Sequence, residues 1–203
     1  TPPGRHGNDI PEQHPSVPAR QNATVATRKD REFKLMHIRP ATPEDAEMLA
    51  EAERQTAAAQ EGLLASRPEE IHVESIRRKI EQLQSNGLYV VPEKDGDPVG
   101  HLLLEPLALA VTSHVVQLTI VVHPGHTGQG YGRILMNHAI EWARQSSAVE
   151  RIELRVRSGN PRAIALYRSL GFEIEGTLKR RIKLSQGYAD DICMAVFVDQ
   201  PVG

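Results

Sequence analysis

Residues 122–135 read Val122-His123-Pro124-Gly125-His126-Thr127-Gly128-Gln129-Gly130-Tyr131-Gly132-Arg133-Ile134-Leu135. Before them, Ser113 to Val122 is apolar and β-branched and predicts a long strand. After them, about Gly130 to Gln145 has the spacing of a helix. Four of the chain's 15 glycines (Gly125, Gly128, Gly130 and Gly132) stand at the junction, within eight residues. A helix start carries free N–H groups and a partial positive charge. Glycines let such groups approach a phosphate with no Cβ in the way. One tight strand-to-helix turn needs fewer, so the pattern predicts a diphosphate cradle.

Two phosphate-binding templates fail. A nucleotide-hydrolysing loop ends in Gly-Lys-Ser/Thr, whereas Gly130 is followed by Tyr131 and Gly132. A dinucleotide fingerprint needs a glycine three residues after Gly130, where Arg133 stands. It also needs an acid closing the next strand, where Val156-Arg157 stand.

Working outward, Phe33 to Arg39 reads as a first strand. Thr42-Pro43-Glu44-Asp45 reads as a helix start, with Ala46, Leu49, Ala50 and Ala57 at helical spacing and Glu53 interrupting the stripe. A second helix runs from about Pro68, with Val73, Ile76, Ile80 and Leu83 on one face. Leu88 to Val91 and Val99 to Leu104 form a hairpin around Asp95-Gly96. Downstream of the loop, Arg151 to Val156 alternates as a strand. Asn160-Pro161 opens a helix lined by Ala163, Leu166, Tyr167 and Leu170, and Gly171 ends it. Two strands, roughly Phe172 to Leu184 and Tyr188 to Val198, turn around Gln186-Gly187. The order β-α-α-β-β-β-α-β-α-β-β predicts an α/β or α+β sheet with helices on both faces.

The glycine stretch resembles the acetyl-CoA motif of the GNAT superfamily of N-acetyltransferases. Asn160-Pro161-Arg162-Ala163-Ile164-Ala165-Leu166-Tyr167-Arg168-Ser169-Leu170-Gly171-Phe172 is similar to that superfamily's second conserved block. The resemblance spans about residues 34–198, with the blocks in the expected order. Gly176, Gly187, Asp190, Asp191 and Met194 further resemble the branch acting on amino acids, polyamines or protein N-termini. The implied fold is a mixed, mostly antiparallel sheet of about seven strands, splayed between strands 4 and 5. The implied activity is acetyl transfer from acetyl-CoA to a primary amine by direct attack in a ternary complex.

The resemblance also implies roles. Thr127, Gly128, Gln129, Gly130, Tyr131, Gly132 and Arg133 would hold the cofactor's diphosphate. Ile120, Val121 and Val122 would run beside the pantetheine arm, with main-chain N–H groups polarising the thioester carbonyl. Asn160 would touch the CoA arm. Tyr167, two helical turns on, would sit at the sulfur and protonate the leaving thiolate. Thr127 stands where the family usually has Arg or Gln, bringing a hydroxyl and no charge. A lysine-like amine has a pKa near 10.4, so about one in a few thousand is neutral at pH 7, a handicap of roughly 4–5 kcal/mol. A base or a water chain must take that proton. Many relatives carry a carboxylate where Gln117 stands. Gln117 cannot ionise, but it can bind the amine or place a water. His114, Glu105 and Asp191 are substitutes, each equally readable as an ordinary strand charge, and water relay is the default.

Composition sets outer bounds. The chain has 203 residues and a net charge of −2, with no basic excess for nucleic acid. One cysteine, Cys193, excludes an internal disulfide and a multi-cysteine zinc site, and its apolar strand predicts burial. The nine histidines show no ligand spacing, so no metal is expected. The longest apolar run is about seven residues, so no membrane partner is expected. Residues 1–20 lack a signal-peptide core, which predicts a cytoplasmic protein. Residues 1–33 hold five of 14 prolines and predict a flexible tail, able to pack on a partner subunit in a homodimer, before a single domain over 34–203. Met136 and Trp142 read as core. Arg151, Arg155, Arg157, Arg162 and Arg168 read as a solvated face or as attraction for the cofactor's phosphates. Two other functions fit less well. One is a non-catalytic acetyl-CoA-binding regulatory module, towards which Gln117 and Thr127 lean. The other is a dinucleotide oxidoreductase, which the glycine spacing disfavours.

Overall fold

The computed structural model describes residues 36–64 and 66–198. The expected tail over 1–33 and the beginning of the expected first strand lie outside these residues. The strands are β1 (Met36–Pro40), β2 (Leu88–Lys94), β3 (Asp97–Pro98), β4 (Gly100–Pro106), β5 (Val115–Val122), β6 (Arg151–Arg157), β7 (Glu173–Leu184) and β8 (Gly187–Phe197). The α-helices are α1 (Ala46–Ala59), α2 (Val73–Asn86), α3 (Tyr131–Gln145) and α4 (Pro161–Arg168). The sheet order is β1-β2-β4-β5-β6-β8-β7, with the two-residue β3 added beside β2. Seven full strands and their order with the helices match the sequence reading.

Differences lie at the ends of elements. Pro43–Asp45 is a 3-10 turn ahead of α1, braced by the Asp45 carboxylate accepting the Thr42 N–H at 2.8 Å. Pro68–Glu70 forms a separate 3-10 turn, and α2 begins only at Val73. Proline has no N–H to give and fixes φ, so it opens such turns readily. Ala110–Thr112 is a further 3-10 turn before β5.

Neighbouring strands are antiparallel except β5 and β6, which run parallel. Alternation along the strands divides the core. Leu102, Leu104, Val116, Leu118, Ile152, Leu154 and Val156 face α3 and α4, whose Leu135, Met136, Ala139, Ile140 and Tyr167 complete one apolar cluster. Tyr89 and Val91 face the other way, onto Ala46, Leu49, Ala50 and Ala57 of α1 and Ile76, Ile80 and Leu83 of α2. Helices therefore cover both faces. Met136 is fully buried and Trp142 packs half-buried on the first cluster. Among the described residues no helix is long and apolar enough to cross a membrane.

One irregularity shapes the site. β5 and β6 pair only at Val115↔Arg151, Val116↔Ile152 and Gln117↔Glu153. β5 continues to Val122 and β6 to Arg157, each still paired on its other side, β5 with β4 and β6 with β8. The two strands part beyond Gln117, which is the expected splay between the fourth and fifth long strands.

Candidate active site

The splay leaves main-chain groups of β5 without strand partners. The His123 N–H donates to the Val99 carbonyl at 3.0 Å, so His123 turns its amide toward the β4 side. Strand residues alternate, so Val121 turns the same way and Ile120 and Val122 turn the opposite way, into the splay. The free donors are thus those of Ile120 and Val122. Val121, expected among them, uses its main chain toward β4 and buries its side chain on the α1–α2 face.

The loop after β5 has the conformation that the glycines permit. Gly125, Gly128 and Gly130 take φ of 85°, 85° and 96°, a region costly for residues with a Cβ. Gly132 differs: it is inside α3, where a Cβ would meet the Leu166 side chain at 3.3 Å. Its function is close packing of α3 on α4. Gly130 caps α3 and no side chain covers that helix start. The Gln129 amide donates to the Gly125 carbonyl at 3.1 Å, and its oxygen accepts from the Tyr131 hydroxyl at 3.2 Å. Gln129 and the buried Tyr131 therefore brace the loop from within. Thr127 is exposed. The Arg133 guanidinium reaches the Ser169 hydroxyl at 2.7 Å, tying α3 to the end of α4.

Helix α4 forms the facing wall. The Asn160 side chain accepts the Ala163 N–H at 3.1 Å, so its oxygen caps the helix while its amide hydrogens stay available. Arg162, one residue into α4, lies beside Gly128, where a Cβ would come within 3.2 Å of its guanidinium. A diphosphate at the loop would therefore meet both main-chain amides and one arginine. Only this member of the expected basic cluster is placed at the loop by a contact. Arg151 is held by Glu153 and Glu175, and Arg157 by Asp191.

Tyr167 lies where α4 packs on the sheet. Its ring is buried against Phe172, with centroids 5.9 Å apart. Burial pushes its phenol pKa up to about 12. The hydroxyl makes no hydrogen bond within the described residues, yet it is not sealed off from open space. A buried ring with an available O–H suits proton donation at neutral pH.

The opposite face carries the other ionisable groups. Gln117 is half-buried between Glu105 of β4 and Glu153 of β6. The two carboxylates considered as substitutes for it are engaged elsewhere. Glu105 pairs with Lys79, and Asp191 is buried against Arg157. For His114 only the main-chain carbonyl is engaged, by the N–H groups of Glu150 and Arg151 where β5 and β6 begin. Arg157 also donates to the Gly62 carbonyl at 2.7 Å, and Glu61 accepts from the Ser185 N–H and hydroxyl at 2.8 and 2.6 Å. The chain after α1 is thereby fastened over the end of β6 and onto the β7–β8 turn.

In the sequence Glu53 is only an interruption of an apolar stripe, and His101 stands in no motif. Glu53 breaks the apolar stripe of α1 because it turns toward the sheet, where its Oε1 lies 3.1 Å from Nε2 of the fully buried His101. His101 Nδ1 lies 3.2 Å from His123 Nε2, and its Nε2 faces Glu53 without an aligned hydrogen bond. The histidine spacing in the sequence, 22 residues apart, carries no motif; only the break at Glu53 was a signal. Cys193, expected to be buried, is half-buried, between exposed Arg155 of β6 and Gly176 of β7.

The chain has recognisable relatives. The Acetyltransferase (GNAT) family matches residues 51–172. The chain is 39% identical over 101 residues to the L-amino acid N-acetyltransferase AaaT of Escherichia coli, covering 50% of this chain and 62% of that one. It is 28% identical over 102 residues to the spermidine N(1)-acetyltransferase of Vibrio cholerae, covering 50% and 58%. The chain thus spans less than two thirds of the length of these relatives. A GNAT-family acetyltransferase structure from Streptococcus pneumoniae superposes with a TM-score of 0.73 at 26% identity, covering 80% of this chain and 99% of that one. With the splayed sheet and glycine loop in place and the family matched over more than half its length, the chain belongs to the GNAT acetyltransferase family.

Proposed function

We propose that this protein transfers the acetyl group of acetyl-CoA to a primary amine by direct attack in a ternary complex. The observation that carries this reading is the free edge of β5, with Ile120 and Val122 donors opening beside a glycine loop and facing the Tyr167 helix. The residues present fit acetyl-CoA as substrate. Main-chain amides of 127–133 and the Arg162 guanidinium would hold the diphosphate. The Asn160 amide would hold the arm, and the β5 edge would pair with the amide-rich pantetheine as a strand would.

When bound, acetyl-CoA supplies an activated acyl carbon. The β5 N–H groups would stabilise negative charge growing on its carbonyl oxygen. The amine nitrogen forms the new C–N bond as the C–S bond breaks, and Tyr167 gives its proton to the departing sulfur. The ammonium proton goes to Glu53, whose carboxylate is set beside the buried His101 ring, directly or through water. Gln117 lies in the floor and positions the amine or that water by hydrogen bonding. The two relatives' names diverge on the acceptor, one acting on L-amino acids and the other on spermidine.

Incubation of the purified chain with acetyl-CoA and a broad amine panel tests the proposal. The expected result is release of CoA thiol together with one acetyl group gained by at least one amine, seen by mass spectrometry. Acetyl-CoA binding with no acetyl transfer across the panel would overturn it.

A further inference from the structure

We infer that the acceptor carries a carboxylate close to its amine, and that Arg155 binds it; this rests on the acetyltransferase reading above. Three arginines of β6 (Arg151, Arg155 and Arg157) share the face turned toward α1 and α2. Arg151 donates to Glu153 at 3.0 Å and pairs with Glu175. Arg157 pairs with buried Asp191 and bonds the Gly62 carbonyl. Arg155 is exposed and has no hydrogen bond or ion pair among the described residues. Its cross-strand neighbour on β8 is Cys193, which brings no charge. The acids around it are taken: Glu153 and Glu175 by Arg151, Asp191 by Arg157, and Asp190 by Lys179 and the Arg180 N–H.

The exposure of Arg155 has a structural cause. It stands two residues beyond Glu153, the last β6 residue paired with β5. Had the register continued, Thr119 would be its neighbour. Thr119 is likewise exposed and without a partner among the described residues. The splay thus opens a notch with a hydroxyl on one lip and an uncompensated guanidinium on the other. His101, near which Glu53 sits, pairs with Val121 one step further along β5. Residues 61–62, tied to Ser185 and Arg157, close the far side. The cofactor loop leads into α3, on the opposite face of the sheet, so the anion for Arg155 is not the diphosphate. A guanidinium fork grips a carboxylate in two parallel hydrogen bonds. It repels a polyamine, whose charges are all positive. Glu53 toward the amine and Arg155 toward a carboxylate together suit a free amino acid.

The test compares L-amino acids with their amides, with the corresponding amines lacking the carboxylate, and with spermidine, for the native chain and Arg155→Gln. Calorimetry of acetyl-CoA and, in the presence of CoA, of the N-acetyl amino acid product gives a readout besides turnover. The native chain is expected to favour amino acids, and Arg155→Gln to lower their kcat/KM and product affinity roughly ten- to a hundredfold, with acetyl-CoA affinity unchanged. Equal turnover of amino acids and their decarboxylated amines, or preference for spermidine, would overturn the inference while leaving the acetyltransferase reading intact. Weakened acetyl-CoA binding by Arg155→Gln would also overturn it, by assigning Arg155 to the cofactor. Absence of transfer to every amine sinks both readings.

Discussion

Gln117 and Glu153 are the last residues at which β5 and β6 share a register. Beyond them one strand keeps β4 and the other keeps β8, so the gap is held open from both sides. That gap exposes the main-chain donors on one strand and an arginine on the other, and it meets the glycine loop at its wide end.

Tyr167 is the proposed acid. Tyr167→Phe should lower kcat roughly a hundredfold or more while acetyl-CoA affinity stays within a few-fold, because the ring still packs on Phe172. Burial raises the phenol pKa to about 12, so the proton is present across the working range. The native rate should rise with pH as the amine is deprotonated, with no descending limb from Tyr167 below about pH 10. Stopped-flow measurement of the chemical step across pH checks both statements.

Glu53 is the proposed proton acceptor. Glu53→Gln keeps the size and polarity of the side chain and should lower kcat/KM by roughly a hundred-fold. Acetyl-CoA affinity, by calorimetry, should not move. Recovery of activity by raising the pH, where more amine is already neutral, would separate loss of a base from loss of structure.

The fold was legible where local chemistry is strict. Pro161 after Asn160, Gly171 after α4 and the glycine run before α3 each left one backbone solution, and these elements were placed to within a residue or two. The splay itself was implied by family resemblance rather than read from β5 or β6, because pairing across strands is a tertiary matter. Glu53 shows the limit most clearly: a charge in an apolar stripe reads as a defect until the sheet brings His101 beneath it. Likewise Asp191 and Glu105 read as substitute bases or as ordinary strand charges, and the fold pairs them with Arg157 and Lys79, partners 34 and 26 residues away.

The Arg157–Asp191 pair should be important to stability. Both side chains are nearly buried. Asp191→Ala leaves the guanidinium without its counter-charge and should cost about 3–5 kcal/mol, read as a lower urea midpoint. Replacing both residues with apolar side chains of similar size should recover much of that loss, although the bond to Gly62 would still be lost.

His123 should make stability depend on pH. Burial, with His101 adding to it, lowers its pKa from 6.5 to about 4. The unfolded chain therefore binds a proton below about pH 6.5 that the folded chain refuses until about pH 4, and stability falls across that window as pH falls. The loss amounts to about 3 kcal/mol. Denaturation of native and His123→Gln proteins at matched pH values should show a difference that shrinks on acidification, while the carboxylates contribute equally to both.

The most direct measurement is a crystal structure of the complex with CoA. The diphosphate is expected on the main-chain amides between Thr127 and Arg133 with Arg162 alongside, the pantetheine along the Ile120–Val122 edge, and the sulfur within hydrogen-bond reach of the Tyr167 hydroxyl. A diphosphate bound away from this loop, or a sulfur remote from Tyr167, would contradict it.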